Sequence, residues 1–415
     1  MSLNVKGFIS SMLFCYVCLC LCPALSASEP PQNNIKRRVV LLGPHDRYNF
    51  GDLLFEKVLQ RLLTVTAGYN DDDIISAGMV DINMLEYGGT KNVVSMKRVI
   101  EMSQEEAITN RKGPYDIIFT GGESGGCNVV CGANMMMNTS LTNLAIANYV
   151  GIGECAYAVN KSLLLPRVWP PGETAIIPQP VAIKNSLGGV VRSACNVTVD
   201  YQSFRDVTGA LSSPDCAVMI RFLFADLVED FASRDEVLAI RETIGKYVAV
   251  QFKPSSTTAA TWAMILDNVS RQTQLTPVLF RAGSAPGHDS LDPFFEIKRL
   301  MHTKCEIFQP EHVWKVVALI SKADYVVSTS LHVRIMAFVY HKPRALLSPK
   351  KNSKHMKFMA LWEAYPFNRT LKDDQLQAFV LNTLNADMKP TTSAVKSAIF
   401  NYLKTFHKWS ELLNR

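Results

Sequence analysis

Short apolar runs alternate with amphipathic stretches along most of the chain. Val39–Leu42 is an uninterrupted apolar run, which predicts a buried strand, and apolar residues recur every three or four positions in residues 52–64, which predicts a helix. Further strands are expected at residues 74–80 and 115–120. Strands that lead through loops into helices are typical of an open parallel α/β sheet.

The alternation is clearest in the second half of the chain, where buried strands and helices follow one another in strict order. Strands are predicted at residues 247–252, 277–280, 305–308, 325–328 and 345–347, and helices at 258–269, 292–301, 311–322 and 331–341. Residues 211–245 have a mostly helical pattern, so the domain crossover is expected before Lys246. We predict an α/β protein with two Rossmann-like domains and a ligand-binding cleft between them.

The expected domain boundaries follow from these patterns. The N-terminal domain is predicted over residues 36–225, the C-terminal domain over 246–360, and C-terminal helices over 361–415. Residues 1–28 are a separate segment, in which 22 uncharged residues follow Lys6 and end in small side chains. This is the pattern of a secretory signal peptide, but the run is also long enough for a signal anchor in the membrane. We therefore expect a protein of the secretory pathway, in the Golgi or endoplasmic reticulum lumen, either secreted or a single-pass type II membrane protein.

Composition narrows the functional classes. Of 415 residues, 48% are hydrophobic and 19% are charged, which is typical of a globular protein and excludes a disordered chain. Lysine and arginine (43) exceed aspartate and glutamate (37), for a net charge of +6. This excess is too small and too dispersed for a protein that coats nucleic acid, and it favours small anionic ligands or acidic glycans.

The cysteines and glycosylation sequons agree with the secretory route. An even number of cysteines in an oxidising compartment allows three disulfides, in 15 possible pairings. The spacing of Cys127 and Cys131 also suits zinc, but no second pair matches it, so a disulfide is the expectation there. The six cysteines beyond the first segment are Cys127, Cys131, Cys155, Cys195, Cys216 and Cys305. The N-x-S/T sequons begin at Asn138, Asn160, Asn196, Asn268 and Asn368.

The strongest candidate site is the junction at residues 325–335. A buried strand passes into a helix through Ser328, Thr329 and Ser330, so backbone amides and hydroxyls meet His332 and Arg334 at one helix N-terminus. This arrangement outlines an anion site. A serine cap and a histidine in the first helical turn also occur in proteins without catalysis.

Three segments together resemble the polysaccharide pyruvyl transferase family. That family has an N-x-G-D element, a strand that ends in Gly-Gly and an S-x-R-L-H-G-like segment, and the similarity extends from about Val39 to Ser348. The resemblance implies a fold of the two-domain glycosyltransferase-B type and transfer of the enolpyruvyl part of phosphoenolpyruvate to a glycan sugar as a cyclic ketal. The matching segments are Asn49-Phe50-Gly51-Asp52, Asp116 to Gly121-Gly122, and Ser330-Leu331-His332-Val333.

The same resemblance implies roles for individual residues. His332 would be the general acid, and Arg205, in the S-x-R-D-like segment 203–206, would bind the donor anion. Ser330 stands where the family commonly has arginine, and Arg334, one helical turn later, is expected to supply the missing charge. The remaining implied substrate-binding residues are Asn49, Gly51, Asp52, Gly121, Gly122, Lys253, Ser328, Ser330 and Leu331. Helix capping alone also explains Asn49 and Asp52.

The resemblance further implies that phosphoenolpyruvate is a donor substrate, that no cofactor or metal is needed, and that a glycan is the acceptor. Arginines and a helix dipole would neutralise the leaving phosphate. Nucleic acid is not an expected partner, and membrane contact is expected only through an N-terminal anchor. Two alternatives remain open: a glycosyltransferase with a nucleotide-sugar donor on the same architecture, and a non-catalytic glycan-binding relative, which Ser330 favours.

Overall fold

A computed structural model gives the structure of several parts of the chain. These parts are residues 37–78, 80–95, 98–99, 101–102, 105–106, 115–120, 142–149, 181–184, 190–193, 201–205, 212–252, 258–284, 289–347 and 353–413. For residues 142–149, 181–184, 190–193 and 201–205 the description is of the backbone.

The first half forms a parallel sheet with the strand order β3-β2-β1-β4-β5-β8-β9. β1 is uniformly apolar and fully buried, because it lies inside the sheet between β2 and β4. The other two strands of this half, β6 and β7, pair antiparallel with each other. The strands are β1 Val39–Leu42, β2 Ile74–Gly78, β3 Val93–Ser95, β4 Tyr115–Phe119, β5 Thr142–Tyr149, β6 Val181–Lys184, β7 Val190–Ser193, β8 Tyr201–Arg205 and β9 Ser212–Ser213.

The second half forms another parallel sheet, with the order β12-β11-β10-β13-β14. Strand order reverses direction next to β1 in the first sheet and next to β10 in the second, and ligands of open α/β sheets bind at such switch points. The strands are β10 Tyr247–Gln251, β11 Thr276–Phe280, β12 Glu306–Phe308, β13 Tyr325–Ser328 and β14 Arg344–Leu346. The two parallel sheets confirm the predicted α/β class with two Rossmann-like domains.

The α-helices of the described residues connect and cover these sheets. α1 follows β1, α2 to α4 lie between the two sheets in the chain, and α8 follows β13. The helices are α1 Phe50–Thr66, α2 Ile220–Leu223, α3 Ala225–Ala232, α4 Asp235–Ile244, α5 Ala259–Thr273, α6 Asp292–Leu300, α7 Val313–Lys322, α8 Leu331–Val339, α9 Lys354–Trp362, α10 Leu376–Thr383 and α11 Lys389–Leu413. Short 3-10 turns lie at Asp71–Asp73, Leu85–Tyr87, Cys216–Met219 and Asp373–Gln375.

One hydrophobic cluster joins the two halves. It contains the buried face of α1, the 3-10 turn Cys216–Met219, much of α7 and α8, and the apolar face of α11. Between the halves, the indole Nε1 of Trp314 at the start of α7 donates a hydrogen bond to the carbonyl of Gly88 (3.1 Å). The amide of Phe50 donates to the carbonyl of Ala282 after β11 (2.8 Å). These contacts bring the start of α1 and the segment around Gly88 against the second half.

The cysteine expectation is wrong for two of its six residues. Cys216 and Cys305 are buried thiols and not parts of disulfides. Burial raises the pKa of the Cys305 thiol to about 12, so this thiol stays protonated and unreactive. The other four cysteines, including Cys127 and Cys131, lie outside the described residues.

Among the helices of the described residues, none combines the length and the apolar character needed to cross a membrane.

Candidate functional site

The loops that carry the predicted motifs lie at the carboxyl ends of central strands. Residues 43–49 follow β1, Thr120 follows β4, and residues 329–330 follow β13. Of the predicted substrate-binding residues, Gly121, Gly122 and Lys253 lie outside the described residues. Arg205 is the last residue of β8, and its side chain also lies outside the description.

Two of the predicted site residues, Gly51 and His332, are far apart in the sequence and lie against each other in the structure. Gly51 lies in the first turn of α1, and a Cβ atom built on it would overlap Nδ1 and Cε1 of His332. His332 lies in the first turn of α8, 8% exposed. Its ring also packs edge-on against Phe55 of α1, with 5.0 Å between ring centroids. The absence of a side chain at position 51 therefore allows the imidazole to sit against the start of α1.

His332 has an acidic neighbour that the sequence analysis missed. Its Nε2 lies 3.2 Å from Oδ2 of Asp215, a fully buried carboxylate just after β9. The other oxygen of Asp215, Oδ1, accepts a hydrogen bond from the amide of Ala217 (2.9 Å) and caps the 3-10 turn. The sequence carries a signal for the cap, because aspartate is a favoured capping residue, but none for the contact with His332.

Asn49 and Asp52 have local roles at the start of α1. Oδ1 of Asn49 accepts a hydrogen bond from the amide of Gly51 (3.3 Å). Asn49, and not Asp52, is therefore the N-cap of α1. Asp52 is buried in the first turn, with Oδ2 3.8 Å from Nε of Arg47. A carboxylate in the first turn is favoured by the partial positive charge of the helix N-terminus.

His45 is a second histidine of this region that the sequence analysis missed. It is fully buried, and burial lowers its pKa, so the ring is neutral. Nδ1 donates a hydrogen bond to the carbonyl of Asp52 (3.2 Å), because a carbonyl oxygen can only accept. Since the neutral ring has one proton, Nε2 accepts a hydrogen bond from the hydroxyl of Thr120 (3.1 Å). A side chain on Gly43 would overlap both Thr120 and His45. These contacts fix the first turn of α1 to β1 and β4.

The amides after Ser328 are not arranged as the sequence analysis expected. The amides of Thr329 and Ser330 donate to the backbone carbonyl (3.1 Å) and the side-chain Oε1 (3.0 Å) of Gln251. The buried Oγ of Ser328 donates to the carbonyl of Ser330 (3.1 Å), and the side chain of Ser330 makes no capping hydrogen bond. These two amides therefore hold β10 and β13 together. Gln251 occupies both of these amides, and anion binding at the start of α8 stays a prediction.

The structure also corrects the interpretation of Arg334. Its guanidinium is 1% exposed and forms a bidentate ion pair with Glu363, the residue that ends α9, and it also donates to the carbonyl of Phe367. Nε of Arg344 donates to the same carboxylate (3.2 Å). Arg334 is thus held in the core and does not replace the family arginine at position 330. Leu331 is likewise buried, and its side chain packs in the hydrophobic cluster, so a substrate contact of Leu331 stays a prediction.

His355 lies in the first turn of α9, in a basic segment of the sequence. Burial, together with the positive charges of Lys354 and Arg334, lowers its pKa to about 3. His332 is also among the groups that lower this pKa, which places His355 near the start of α8. The imidazole is therefore neutral over the physiological range.

A family model and solved structures are similar to this chain. The model of the polysaccharide pyruvyl transferase family matches residues 207–351, so the resemblance expected from the sequence is confirmed over this range. The range contains both Asp215 and His332. The match supports an enzyme that modifies polysaccharides.

Solved structures share the fold at low sequence identity. A protein assigned as a UDP-N-acetylglucosamine 2-epimerase from Listeria monocytogenes superposes with a TM-score of 0.52 at 10% identity, covering 87% of this chain and 91% of its own. A variant of Os79 from O. sativa in complex with UDP superposes with a TM-score of 0.51 at 10% identity, covering 91% of this chain and 100% of its own. No curated protein matches the sequence significantly. Both structural neighbours support the predicted two-domain glycosyltransferase-B type of fold.

Proposed function

We propose that this chain, which carries the polysaccharide pyruvyl transferase segment at residues 207–351, transfers the enolpyruvyl group of phosphoenolpyruvate to a glycan sugar as a pyruvate ketal. The observation that carries the proposal is the contact between Gly51 and His332. The N-x-G-D element and the Leu-His element are far apart in the sequence, and their joint position at one site favours a shared function over independent helix caps.

The proposed chemistry starts with proton transfer to carbon. His332 donates a proton to the methylene carbon of the donor, and the neighbouring carbon gains oxocarbenium character. One sugar hydroxyl attacks this carbon and gives its proton to the imidazole of His332, which is now neutral. The phosphate leaves with the former enol oxygen, and a second hydroxyl attacks the same carbon and gives its proton to the phosphate, which closes the ketal. The ring of His332 is suited to proton transfer because imidazole exchanges protons near neutral pH.

Donor binding requires cationic groups at the same strand ends. We assign the donor carboxylate and phosphate to Arg205 at the end of β8 and to Lys253, which follows β10 in the sequence, with Gly121 and Gly122 allowing close approach of the backbone. Asn49, Gly51 and Asp52 shape the first turn of α1 beside His332. Phosphoenolpyruvate acts as a substrate in this proposal, and no step uses a metal or cofactor.

A phosphate-release assay tests the proposal directly. The full chain is incubated with phosphoenolpyruvate and a panel of galactosides, and release of inorganic phosphate that depends on one acceptor is the expected result. His332→Gln is the matched control, because it keeps the size of the side chain but removes the titratable ring. Acceptor-independent release, or none with any acceptor, would contradict pyruvyl transfer.

Titration calorimetry separates the proposal from its two rivals. Binding of phosphoenolpyruvate in preference to UDP-sugars is expected. Preferential binding of a nucleotide sugar would instead support a glycosyltransferase, and glycan binding without either donor would support a non-catalytic relative.

We also propose a location in the secretory pathway, which the N-terminal segment and the five sequons support. Native material should shift in gel mobility after treatment with an N-glycosidase. An unchanged mobility would count against this location.

A further inference from the structure

We propose that Asp215 is a positioning residue that sets the tautomer of His332. The inference rests on the proposed function of His332 as the proton donor. It goes further because it assigns a role to a residue outside every predicted motif and identifies the nitrogen that carries the transferred proton.

Asp215 is itself held in a fixed orientation. It is fully buried after β9, and its Oδ1 is occupied by the amide of Ala217, so Oδ2 is turned towards Nε2 of His332. Tyr402 of α11 is also fully buried, and Asp215 and Cys216 both raise its pKa, after the larger effect of burial. This places Tyr402 beside the 3-10 turn and adds to the packing around Asp215.

The chemistry of the pair decides the tautomer. An ionised carboxylate can only accept hydrogen bonds. The hydrogen bond between Oδ2 of Asp215 and Nε2 of His332 (3.2 Å) therefore requires a proton on Nε2. In the neutral ring the lone pair is then on Nδ1, and Nδ1 is the atom that takes up and gives away a proton. The negative charge of Asp215 stabilises the imidazolium that precedes proton transfer.

The other contacts of the ring agree with this assignment. Gly51 lies against the Nδ1 and Cε1 edge of the imidazole, and only a residue without a side chain fits there. Phe55 packs edge-on against the ring and limits its rotation. The ring is therefore held between α1 and Asp215, with Nε2 towards the carboxylate and Nδ1 towards the first turn of α1.

Asp215→Asn tests the role without removing the cap. The Asn oxygen can still accept from the amide of Ala217, and its NH₂ group then faces Nε2 of His332. Because that group only donates, Nε2 must accept, and the proton of the neutral ring moves to Nδ1. Asp215→Ser is the second variant, since serine is also a good N-cap but is too short to reach the imidazole.

The readout is ¹⁵N NMR of the full chain with labelled histidine, with the His332 signal assigned by its loss in His332→Gln. The wild type should have the proton of the neutral His332 ring on Nε2, and Asp215→Asn should have it on Nδ1. Phosphate release should fall by roughly 10²–10⁴-fold in Asp215→Asn, with little change in donor affinity. Thermal melts of both variants check that the fold is retained.

The outcomes separate this inference from the proposed function. A wild type with the proton on Nδ1, or an Asp215→Asn protein that keeps it on Nε2, would overturn the role of Asp215. The wild-type measurement can overturn the role even if neither variant folds, because a proton on Nδ1 is incompatible with it. A wild type with the expected tautomer that releases no phosphate would leave the positioning role in place and reject pyruvyl transfer.

Discussion

Gly51 of α1 and His332 of α8 are in direct contact, so that any side chain at position 51 would overlap the imidazole. The two residues lie in the first turns of helices that follow β1 of the first sheet and β13 of the second.

Gly51→Ala should therefore lower turnover strongly. Gly51 has ordinary helical backbone angles, so alanine costs little locally, but its Cβ must displace the His332 ring. Phosphate release per folded molecule is the measurement. Gly245→Ala is the matched control, because Gly245 has φ of 72° and open space around it. That variant should lose stability on the order of 1–3 kcal/mol and keep its turnover. Equal turnover in both variants would contradict the importance of the contact.

His332→Ala should lower turnover by roughly 10²–10⁴-fold while donor affinity changes by a small factor, as expected for a general acid. His332→Gln keeps a hydrogen-bond donor but cannot protonate carbon, so it should be nearly as slow. Turnover is measured beside a thermal melt. A glutamine variant that melts normally and retains most activity would remove His332 from the mechanism.

The ion pairs of Glu363 predict an order of stability among variants. Glu363→Gln leaves both Arg334 and Arg344 buried without a counter-charge, whereas Arg334→Met leaves Glu363 paired with Arg344. Loss of one partner from a buried pair costs about 3–5 kcal/mol, so Glu363→Gln should be the more destabilised of the two in urea unfolding.

The same variants test the structural role of Arg334. Donor affinity per folded molecule should be unchanged in Arg334→Met, since the guanidinium is held in the core. A large loss of donor affinity with normal stability would restore Arg334 as an anion ligand.

Acid should destabilise the protein before its carboxylates are protonated. The pKa of His355 is about 3 in the folded state, below the value of about 6.5 for an unfolded chain, so the unfolded state binds more protons between these limits. Stability therefore falls as pH decreases from about 6.5, and His312 and His341, with pKa values lowered to about 4 mainly by burial, act in the same direction.

Urea unfolding at pH 7.5 and pH 5.0 measures this effect. His355→Asn should lose less stability than the wild type between the two values, because one of the contributing groups is absent. An identical loss in both proteins would exclude His355 as a contributor.

The second sheet could be predicted almost residue by residue, because its strands are continuous apolar runs with clear helices between them. β13 matches the prediction, and the bounds of α8 differ only at its end, at Val339 instead of residue 341. Six strands of the first half, β3 and β5 to β9, are not predicted from the sequence. Three residues in β3 and two in β9 are too few for a periodic pattern.

The candidate site could be predicted only in part. Gly51 and His332 were identified through motifs, but the contacts of Asp215, His45 and Gln251 depend on the tertiary fold. The four-residue spacing predicts that Arg334 lies on the same helical face as Ser330. It gives no information about Glu363, which lies at the end of α9. Helical spacing predicts neighbours within one helix, and it cannot show which element packs against that helix.

The packing of α11 has a consequence for synthesis of the protein. Val395, Ala398, Tyr402 and Phe406 share a hydrophobic cluster with α1 and with the 3-10 turn that holds Asp215. The ribosome makes these four residues long after the strands of the first sheet. During synthesis, part of the apolar surface of the first half therefore stays exposed to solvent until α11 has been made. Chaperones act on intermediates of this kind. Pairing of Asp215 with His332 should accordingly be among the late events of folding.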